Sequence, residues 1–288
     1  GSHYASMLGK YWIENLAGVP CEVDIASEFR YREAPLPDGG LCVFTSQSGE
    51  TLDTLEALRY CKSQGQKILS IVNTIESTIE RESDYVLRTL AGPEIAVAST
   101  KATITQYTTF ACMALAMARH TGKISKAQEH EMADALRHVP TSAAKVLQHD
   151  DAIRAIAKDV MQASYVLYLG RGAFYPIALE GALKLKEICY ICAEGYAAGE
   201  MKHGPIALID DSVPVVMLGA GADPLFDKTA SNVRETAARG GKILAISDAK
   251  GIEKTADLTS WQVEIDEAHP FVAPILYTIP VQLLAYHV

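Results

Sequence analysis

The segment Gly65–Ile71 (GQKILSI) recurs later in the chain as Gly240–Ile246 (GGKILAI), with identity at five of seven positions. In both places a short apolar run and a helical stretch come before the segment. This matching order of elements indicates two copies of one α/β unit. We expect the boundary between the copies near Pro140–Asp151, which predicts domains of residues 1–142 and 150–288.

Short apolar runs alternate with longer helical stretches along the chain. The runs are continuous in apolar residues, as is typical of parallel strands covered on both faces. The alternation predicts an α/β fold in which each parallel sheet is sandwiched between helices. The predicted strands are Leu41–Thr45, Lys67–Val72, Tyr85–Thr89, Tyr165–Leu169, Pro214–Leu218, Lys242–Ile246 and Gln262–Ile265. The predicted helices are Tyr4–Leu16, Leu52–Gln64, Thr100–His120, Lys126–Arg137, Pro176–Ala193 and Pro224–Arg239.

The two copies differ at their beginnings. The second copy has the strand Tyr165–Leu169 before its helix Pro176–Ala193, whereas the first opens directly with the helix Tyr4–Leu16. We therefore expect the first copy to lack its first strand.

Composition limits the possible partners. The chain has 288 residues, is 49% hydrophobic and carries 35 acidic against 26 basic residues, a net charge of −9. No run of Lys and Arg offers a basic stripe, so nucleic acid is not expected as a partner. The longest charge-free apolar stretch, Phe271–Val288, contains two prolines and barely reaches membrane length, so we predict a buried terminal helix and no membrane partner.

The cysteine pattern favours free thiols in a cytoplasmic protein. Cys21, Cys42, Cys61 and Cys112 lie in apolar segments and are predicted to be small buried hydrophobic residues. Cys189 and Cys192 form a single C-x-x-C pair without a second pair, so no metal site is expected. The predicted position late in a helix also disfavours a redox role.

A loop rich in hydroxyl groups, Ser46–Thr51 (SQSGET), follows a predicted strand and opens the helix Leu52–Gln64. Free N–H groups and a partial positive charge at a helix N-terminus suit a phosphate. The simpler interpretation is an ordinary Ser/Thr cap. Three hydroxyls and a glutamine exceed what a cap needs, so we favour a monophosphate site; the absence of a lysine excludes a Walker loop.

The segment Gly170-Arg171-Gly172 follows a strand and invites comparison with a dinucleotide-binding turn. Its sixth position is Tyr175 instead of glycine, and no acidic residue closes a following strand at the required distance, so NAD is rejected. For Arg171 we favour pairing with a carboxylate over contact with a substrate.

Two segments of the second copy carry acid and base groups. Glu180, Lys184 and Glu187 share one face of a predicted helix, where the alternatives are a solvated ion-pair face or a buried proton-transfer group. The apolar residues between them favour burial. His203 lies in the glycine-bounded loop Gly199–Pro205 and suits acid/base work, although a plain surface histidine is equally compatible. In the first copy, Glu94–Lys101 is either another hydroxyl-rich ligand edge or a helix cap.

Together these motifs resemble the sugar-isomerase half of the glutamine–fructose-6-phosphate aminotransferase family, also called glucosamine-6-phosphate synthases. The resemblance extends over essentially the whole chain. It rests on Ser46–Thr51, Val97–Ala102, Gly170–Gly172, Ala178–Glu187 and Gly199–Pro205. It implies two tandem sugar isomerase (SIS) domains that act on fructose 6-phosphate toward glucosamine 6-phosphate, with no cofactor, in a homodimer.

The resemblance also implies roles for particular residues. Glu187 matches the base that moves a proton between C1 and C2, and Lys184 matches a lysine that assists proton transfer at the sugar oxygens. His203 matches the ring-opening histidine, which the family supplies from the other subunit. The matching phosphate-binding residues are Ser2, Ser46, Gln47, Ser48 and Thr51, and the matching sugar-lining residues are Val97 and Ser99.

Two parts of the family are not matched in this chain: the glutaminase domain that supplies ammonia, and a tail beyond the position of Val288 that carries a Schiff-base lysine. Two alternatives therefore stay open. One is a stand-alone SIS phosphosugar isomerase or deaminase; the other is a phosphosugar-sensing module without catalysis.

Overall fold

A computed structural model describes the whole chain, Gly1–Val288. The chain divides into two compact units, Gly1–Ser125 and Lys126–Val288. Each unit contains one all-parallel β-sheet with helices packed against it. The α/β class and the two tandem sheets predicted from the sequence are confirmed.

The first unit contains a three-stranded sheet in the order β1-β2-β3. Its apolar core lies between the sheet and α3, where Leu58, Ile68 and Ile79 are fully buried. The strands are β1 (Leu41–Ser46), β2 (Lys67–Val72) and β3 (Tyr85–Arg88). The helices are α1 (Ser2–Trp12, extended by a π-helical turn Ile13–Ala17), α2 (Ala26–Arg32), α3 (Leu52–Ser63), α4 (Thr78–Glu82) and α5 (Lys101–His120).

The second unit contains a five-stranded sheet in the order β5-β4-β6-β7-β8. The strands are β4 (Tyr165–Gly170), β5 (Cys192–Ala197), β6 (Pro214–Leu218), β7 (Lys242–Ser247) and β8 (Trp261–Glu264). The helices are α6 (Lys126–Val146), α7 (Asp150–Val160), α8 (Phe174–Cys189), α9 (Phe226–Ala237), α10 (Ala249–Thr255) and α11 (Ala273–His287). Short 3-10 turns are Leu147–His149, Ala198–His203, Pro205–Leu208 and Ala256–Leu258.

The repeated segment occupies equivalent positions in the two sheets. It forms β2 in one unit and β7 in the other, each paired in parallel with the strand before it and the strand after it. The second sheet has two further strands, β4 and β5, for which the first sheet has no counterpart. Every residue of β6 is buried, whereas most of β1 is only partly buried. Full burial of one Val, Leu or Ile side chain contributes about 1.5–3 kcal/mol, so the second sheet has the larger apolar core.

The predicted helix Pro176–Ala193 is too long. Helix α8 ends at Cys189 because Tyr190 adopts a left-handed backbone conformation, and Cys192 then opens the edge strand β5. This strand contains no β-branched residue, and Gly195 weakened its sequence signal. The glycine is needed here because an added Cβ would lie 2.8 Å from the main chain of Leu179 on α8.

The predicted helix ending at Arg137 is too short. Helix α6 continues through Pro140 to Val146 and packs against α11, so it belongs to the second compact unit. The sequence-based bounds of 1–142 and 150–288 assigned it to the first copy. Those bounds of the two SIS domains stay a prediction.

The burial predicted for four cysteines is wrong at one position. Cys61 is buried and Cys21 and Cys42 are partly buried, but Cys112 is exposed because it lies on an outer face of α5. All six cysteines are free thiols. The C-terminal stretch forms the buried helix α11 as predicted, and no helix is long and apolar enough to span a membrane.

Candidate functional site

The loop Ser46–Thr51, which follows β1, is held together by hydrogen bonds of its own hydroxyl groups. The Ser46 hydroxyl accepts a hydrogen bond from the Gly49 N–H (3.0 Å) and lies 3.2 Å from the Thr51 hydroxyl. Thr51 stands at the N-terminus of α3 without capping it through its side chain, so the interpretation as an ordinary cap is not supported. The N–H groups of the first turn of α3 therefore keep their capacity for an anion.

Gly49 has a positive φ of 67°, and a Cβ added there would collide with the Ser77 hydroxyl. Glycine thus permits both the turn and the close packing of the loop. Beside it, Glu50 points away from the helix and accepts a hydrogen bond from the Thr78 N–H (2.8 Å). This bond lowers the pKa of Glu50 and keeps its carboxylate engaged outside the loop.

The N-terminus of α1 lies beside the same loop. The Ser6 hydroxyl donates to the Thr45 hydroxyl (3.2 Å), which joins the second turn of α1 to the end of β1. Ser2, one turn earlier, accepts a hydrogen bond from the buried Gln106 of α5 (3.0 Å). Sequence reasoning missed Gln106, because only the packing of α1 on α5 reveals this bond.

Val97 and Ser99 lie in the loop that joins β3 to α5. Val97 is fully exposed, while the Ser99 hydroxyl accepts a hydrogen bond from Thr103 (3.3 Å). Glu94 accepts from the Ala102 N–H (2.9 Å) and the Thr100 hydroxyl (3.2 Å), so it caps α5. Because the carboxyl ends of parallel strands lie at one edge of a sheet, this loop and the Ser46–Thr51 loop share that edge.

In the second unit, Lys184 lies between two carboxylates of α8. Its ammonium group is 2.6 Å from Glu187 Oε2 and 3.5 Å from Glu180 Oε1. The side chains of Lys184 and Glu180 are 1% and 0% exposed, whereas that of Glu187 is 37% exposed. The solvated ion-pair alternative is therefore wrong for the first two residues, and Glu187 is the member that reaches solvent.

Burial raises the pKa of Glu180, and the positive charge of Lys184 opposes this rise. A charge buried this deeply is retained only when it is paired, because desolvation costs several kcal/mol per ion. The arrangement fixes Glu187 beside a permanently desolvated lysine. A carboxylate held in this way is suited to moving a proton at a carbon next to a carbonyl group.

His203 lies apart from this cluster. It is exposed at the end of the turn Ala198–His203 and forms no hydrogen bond or ion pair within the chain. The turn itself is anchored, since Ala198 and Met201 are buried in the apolar core of the unit. The second unit thus brings together Lys184 and Glu187 but not His203.

The pairing predicted for Arg171 is corrected by the structure. Its guanidinium donates to the amide oxygen of Asn232 (3.0 Å), not to a carboxylate, and packs under Gly199. Gly170 is needed because a Cβ there would collide with the main chain of Phe174 at the start of α8. Gly170 therefore serves the packing of α8 on β4.

The fold and these loops define a class of α/β protein with two tandem parallel sheets and polar loops at the carboxyl ends of the strands. The model of the SIS domain family matches residues 1–118 and 160–288, and the chain belongs to this family.

Named relatives agree with this assignment. The chain is 53% identical over 286 residues to the glutamine--fructose-6-phosphate aminotransferase (isomerizing) of Brucella abortus, covering 99% of this chain and 47% of the relative. The enzyme of the same name from Zymomonas mobilis is 53% identical over 287 residues, covering 100% and 47%. The chain therefore spans about half the length of these curated relatives.

Two solved structures superpose on this chain. The C-terminal domain of glucosamine-fructose-6-phosphate aminotransferase from Francisella tularensis superposes with a TM-score of 0.94 at 45% identity, covering 99% of this chain and 81% of that one. A glucosamine-6-phosphate deaminase from Thermotoga maritima superposes with a TM-score of 0.74 at 22% identity, covering 99% and 82%. The second comparison supports the fold alone.

Proposed function

We propose that this chain is the sugar-isomerase part of an enzyme that converts fructose 6-phosphate and ammonia into glucosamine 6-phosphate. The observation that carries the proposal is the 2.6 Å contact between the buried Lys184 and the solvent-reaching Glu187. Relatives at 50–54% identity that bear the aminotransferase name give the reaction class.

In this proposal the phosphate is held by neutral donors. Ser46, Ser48 and Thr51 offer hydroxyls, Gln47 offers its side-chain amide, and the N-terminus of α3 adds main-chain N–H groups. Ser2 contributes a further hydroxyl from the N-terminus of α1. Val97 and Ser99 line the sugar from the next loop of the same sheet edge.

The chemical steps use the second unit. His203 opens the sugar ring, and ammonia replaces the C2 carbonyl oxygen, which leaves as water. Glu187 then takes a proton from C1 and returns it to C2, while the proton of the C1 hydroxyl passes to the imine nitrogen, which converts the imine into an amino aldehyde. Lys184 holds Glu187 in place and assists proton transfer at the sugar oxygens.

The remaining partners and the location belong to the same proposal. Ammonia is supplied by a glutaminase domain that belongs to the longer protein, and the exposed His203 serves a second subunit of a homodimer. The six free thiols favour a cytoplasmic location. A purely sensory module is disfavoured, since sensing does not require a lysine buried between two carboxylates.

Proton NMR of fructose 6-phosphate with this chain in D2O tests the proposal. We expect exchange of a C1 proton with the wild-type chain and its loss in Glu187→Gln. Glu253→Gln is the matched control, because Glu253 is exposed on α10 outside the site. Exchange that persists unchanged in Glu187→Gln contradicts the role of that residue.

Ligand binding without exchange, even in a longer protein that includes the family's tail, favours the sensor. Release of ammonia from glucosamine 6-phosphate without glutamine favours a stand-alone deaminase.

A further inference from the structure

Asn73 directly follows β2 and contacts the loop proposed to bind phosphate. Its N–H donates to the main-chain oxygen of Gln47 (3.2 Å), and the N–H of Thr74 donates to the same oxygen (3.2 Å). The main chain after β2 is therefore joined to the Ser46–Thr51 loop, although the two lie more than 20 residues apart in sequence.

The side chain of Asn73 contacts a different segment. Its amide oxygen accepts from the Ala91 N–H (2.8 Å) and the Thr89 hydroxyl (3.1 Å). Its amide nitrogen donates to the main-chain oxygen of Gly92 (2.8 Å). These three bonds use both the acceptor and the donor of the amide, and an ionised aspartate, which only accepts, could not reproduce them.

The turn held by this amide contains an unfavourable conformation. Leu90 has a positive φ of 55° and its side chain is 79% exposed, so no packing of that side chain compensates the backbone strain. Left-handed backbone at a non-glycine residue persists only where neighbouring contacts impose it. The bonds from Asn73 to the residues on either side of Leu90 are those contacts.

The segment after this turn is held at its other end by Glu94, which accepts from the Ala102 N–H (2.9 Å) at the start of α5. Val97 and Ser99 lie between these two points of attachment. The position of the sugar-lining loop relative to the phosphate loop is therefore set through Asn73.

We propose that Asn73 is a positioning residue that sets the separation between the phosphate loop and the sugar-lining loop, and so selects a phosphorylated sugar over phosphate alone. This inference rests on the proposed function, because it takes Val97 and Ser99 as residues that line the sugar. Asn73 itself need not touch the substrate. Its main-chain N–H is hydrogen-bonded to the phosphate loop, and its side chain is hydrogen-bonded to the turn before the sugar-lining loop.

Calorimetric titration of the chain with fructose 6-phosphate and, separately, with inorganic phosphate tests this proposal. Asn73→Ala should weaken binding of fructose 6-phosphate at least tenfold, equivalent to about 1.4 kcal/mol, while phosphate binding changes less than twofold. The control Asn15→Ala removes an exposed amide from the same unit and should change neither. Equal losses for both ligands, or no loss for fructose 6-phosphate, overturn the proposal.

A second measurement does not depend on the ligand. Hydrogen exchange should accelerate at residues 91–99 in Asn73→Ala and stay unchanged at residues 46–51. Thr89→Val, which removes only the bond to the Asn73 oxygen, should give a smaller change in the same segment if Asn73→Ala does not fold. Unchanged exchange at residues 91–99 overturns the positioning role. A wild-type chain that binds phosphate but not fructose 6-phosphate contradicts the proposed function instead.

A double-variant comparison connects the two measurements. If Asn73 acts through the sugar-lining loop, Asn73→Ala should weaken fructose 6-phosphate binding much less in a Ser99→Ala background than in the wild-type chain. Fully additive losses contradict that route.

Discussion

The candidate phosphate loop of the first unit and the charged face of α8 in the second arrange their polar groups in opposite ways. The loop Ser46–Thr51 uses hydroxyls and main-chain N–H groups, and its one charged side chain, Glu50, bonds outward to Thr78. The α8 face uses three charged side chains, two of them fully buried. Neutral donors at a helix terminus bind an anion at little desolvation cost, whereas buried charges are costly and must be paired. The first arrangement suits binding and the second suits proton transfer.

The largest expected effect is on the charged face. Lys184→Met removes the partner of Glu180 inside the core and should lower the free energy of unfolding by about 3–5 kcal/mol. Urea unfolding checks this value. Lys186→Met, on the exposed side of the same helix, should change it by less than about 0.5 kcal/mol. A loss for Lys184→Met as small as that of the control would mean that the pair contributes nothing to the fold.

In the candidate phosphate loop, the expected cost of a substitution is steric. Gly49→Ala and Gly65→Ala both place alanine at a positive φ, which costs about 1–2 kcal/mol in each case. Only Gly49 faces a collision, with Ser77, while Gly65 has open space around it. We expect Gly49→Ala to be less stable than Gly65→Ala by about 1–3 kcal/mol. Equal stabilities in urea unfolding would show that the loop shifts freely.

The pH dependence of stability should have opposite signs in the two regions. Burial raises the pKa of Glu180 in the folded chain, so the folded state binds more protons than the unfolded state above pH ~4.3. Its contribution to the free energy of unfolding therefore falls as pH rises from there toward the raised pKa. Glu180→Gln should remove this fall in a series of urea titrations. An unchanged pH profile would contradict the burial argument.

The smallest effect is expected at Glu50. The Thr78 N–H lowers its pKa, so its contribution is present above the unfolded pKa of ~4.3 and is lost as pH falls through the lowered value. Glu50→Gln should therefore flatten the acid side of the same profile slightly. Glu253→Gln, exposed and with no hydrogen bond in the chain, serves as its control. An effect of the opposite sign would mean that the bond to Thr78 does not persist in solution.

Features that depend on neighbours in sequence were predictable. The continuous apolar runs located seven of the eight strands, and the spacing of Lys184 and Glu187 placed both on one helix face. The strand followed by hydroxyl residues located the candidate phosphate loop. In each case the signal lies within a few residues, because helix and strand periodicity are local properties.

Features that depend on distant contacts were not predictable. Strand β5 carries Glu194 and Gly195, which disfavour a strand by composition, and it forms because it pairs with β4 and packs on α8. The exposure of Cys112 depends on which face of α5 remains uncovered. Asn73 belongs to no motif recognised in the sequence. Its proposed positioning role depends on hydrogen bonds to residues 16–19 positions away.

The amino-acid sequence alone was sufficient for the α/β class, the internal repeat and the family resemblance, since these depend on short-range patterns and on motif order. Tertiary structure decided which charges are buried, where α8 ends and how the two loops of the first sheet are joined. Those outcomes depend on desolvation and on hydrogen bonds between segments far apart in the chain. Only the folded arrangement places Lys184 between two carboxylates and the Asn73 amide beside the turn at Leu90.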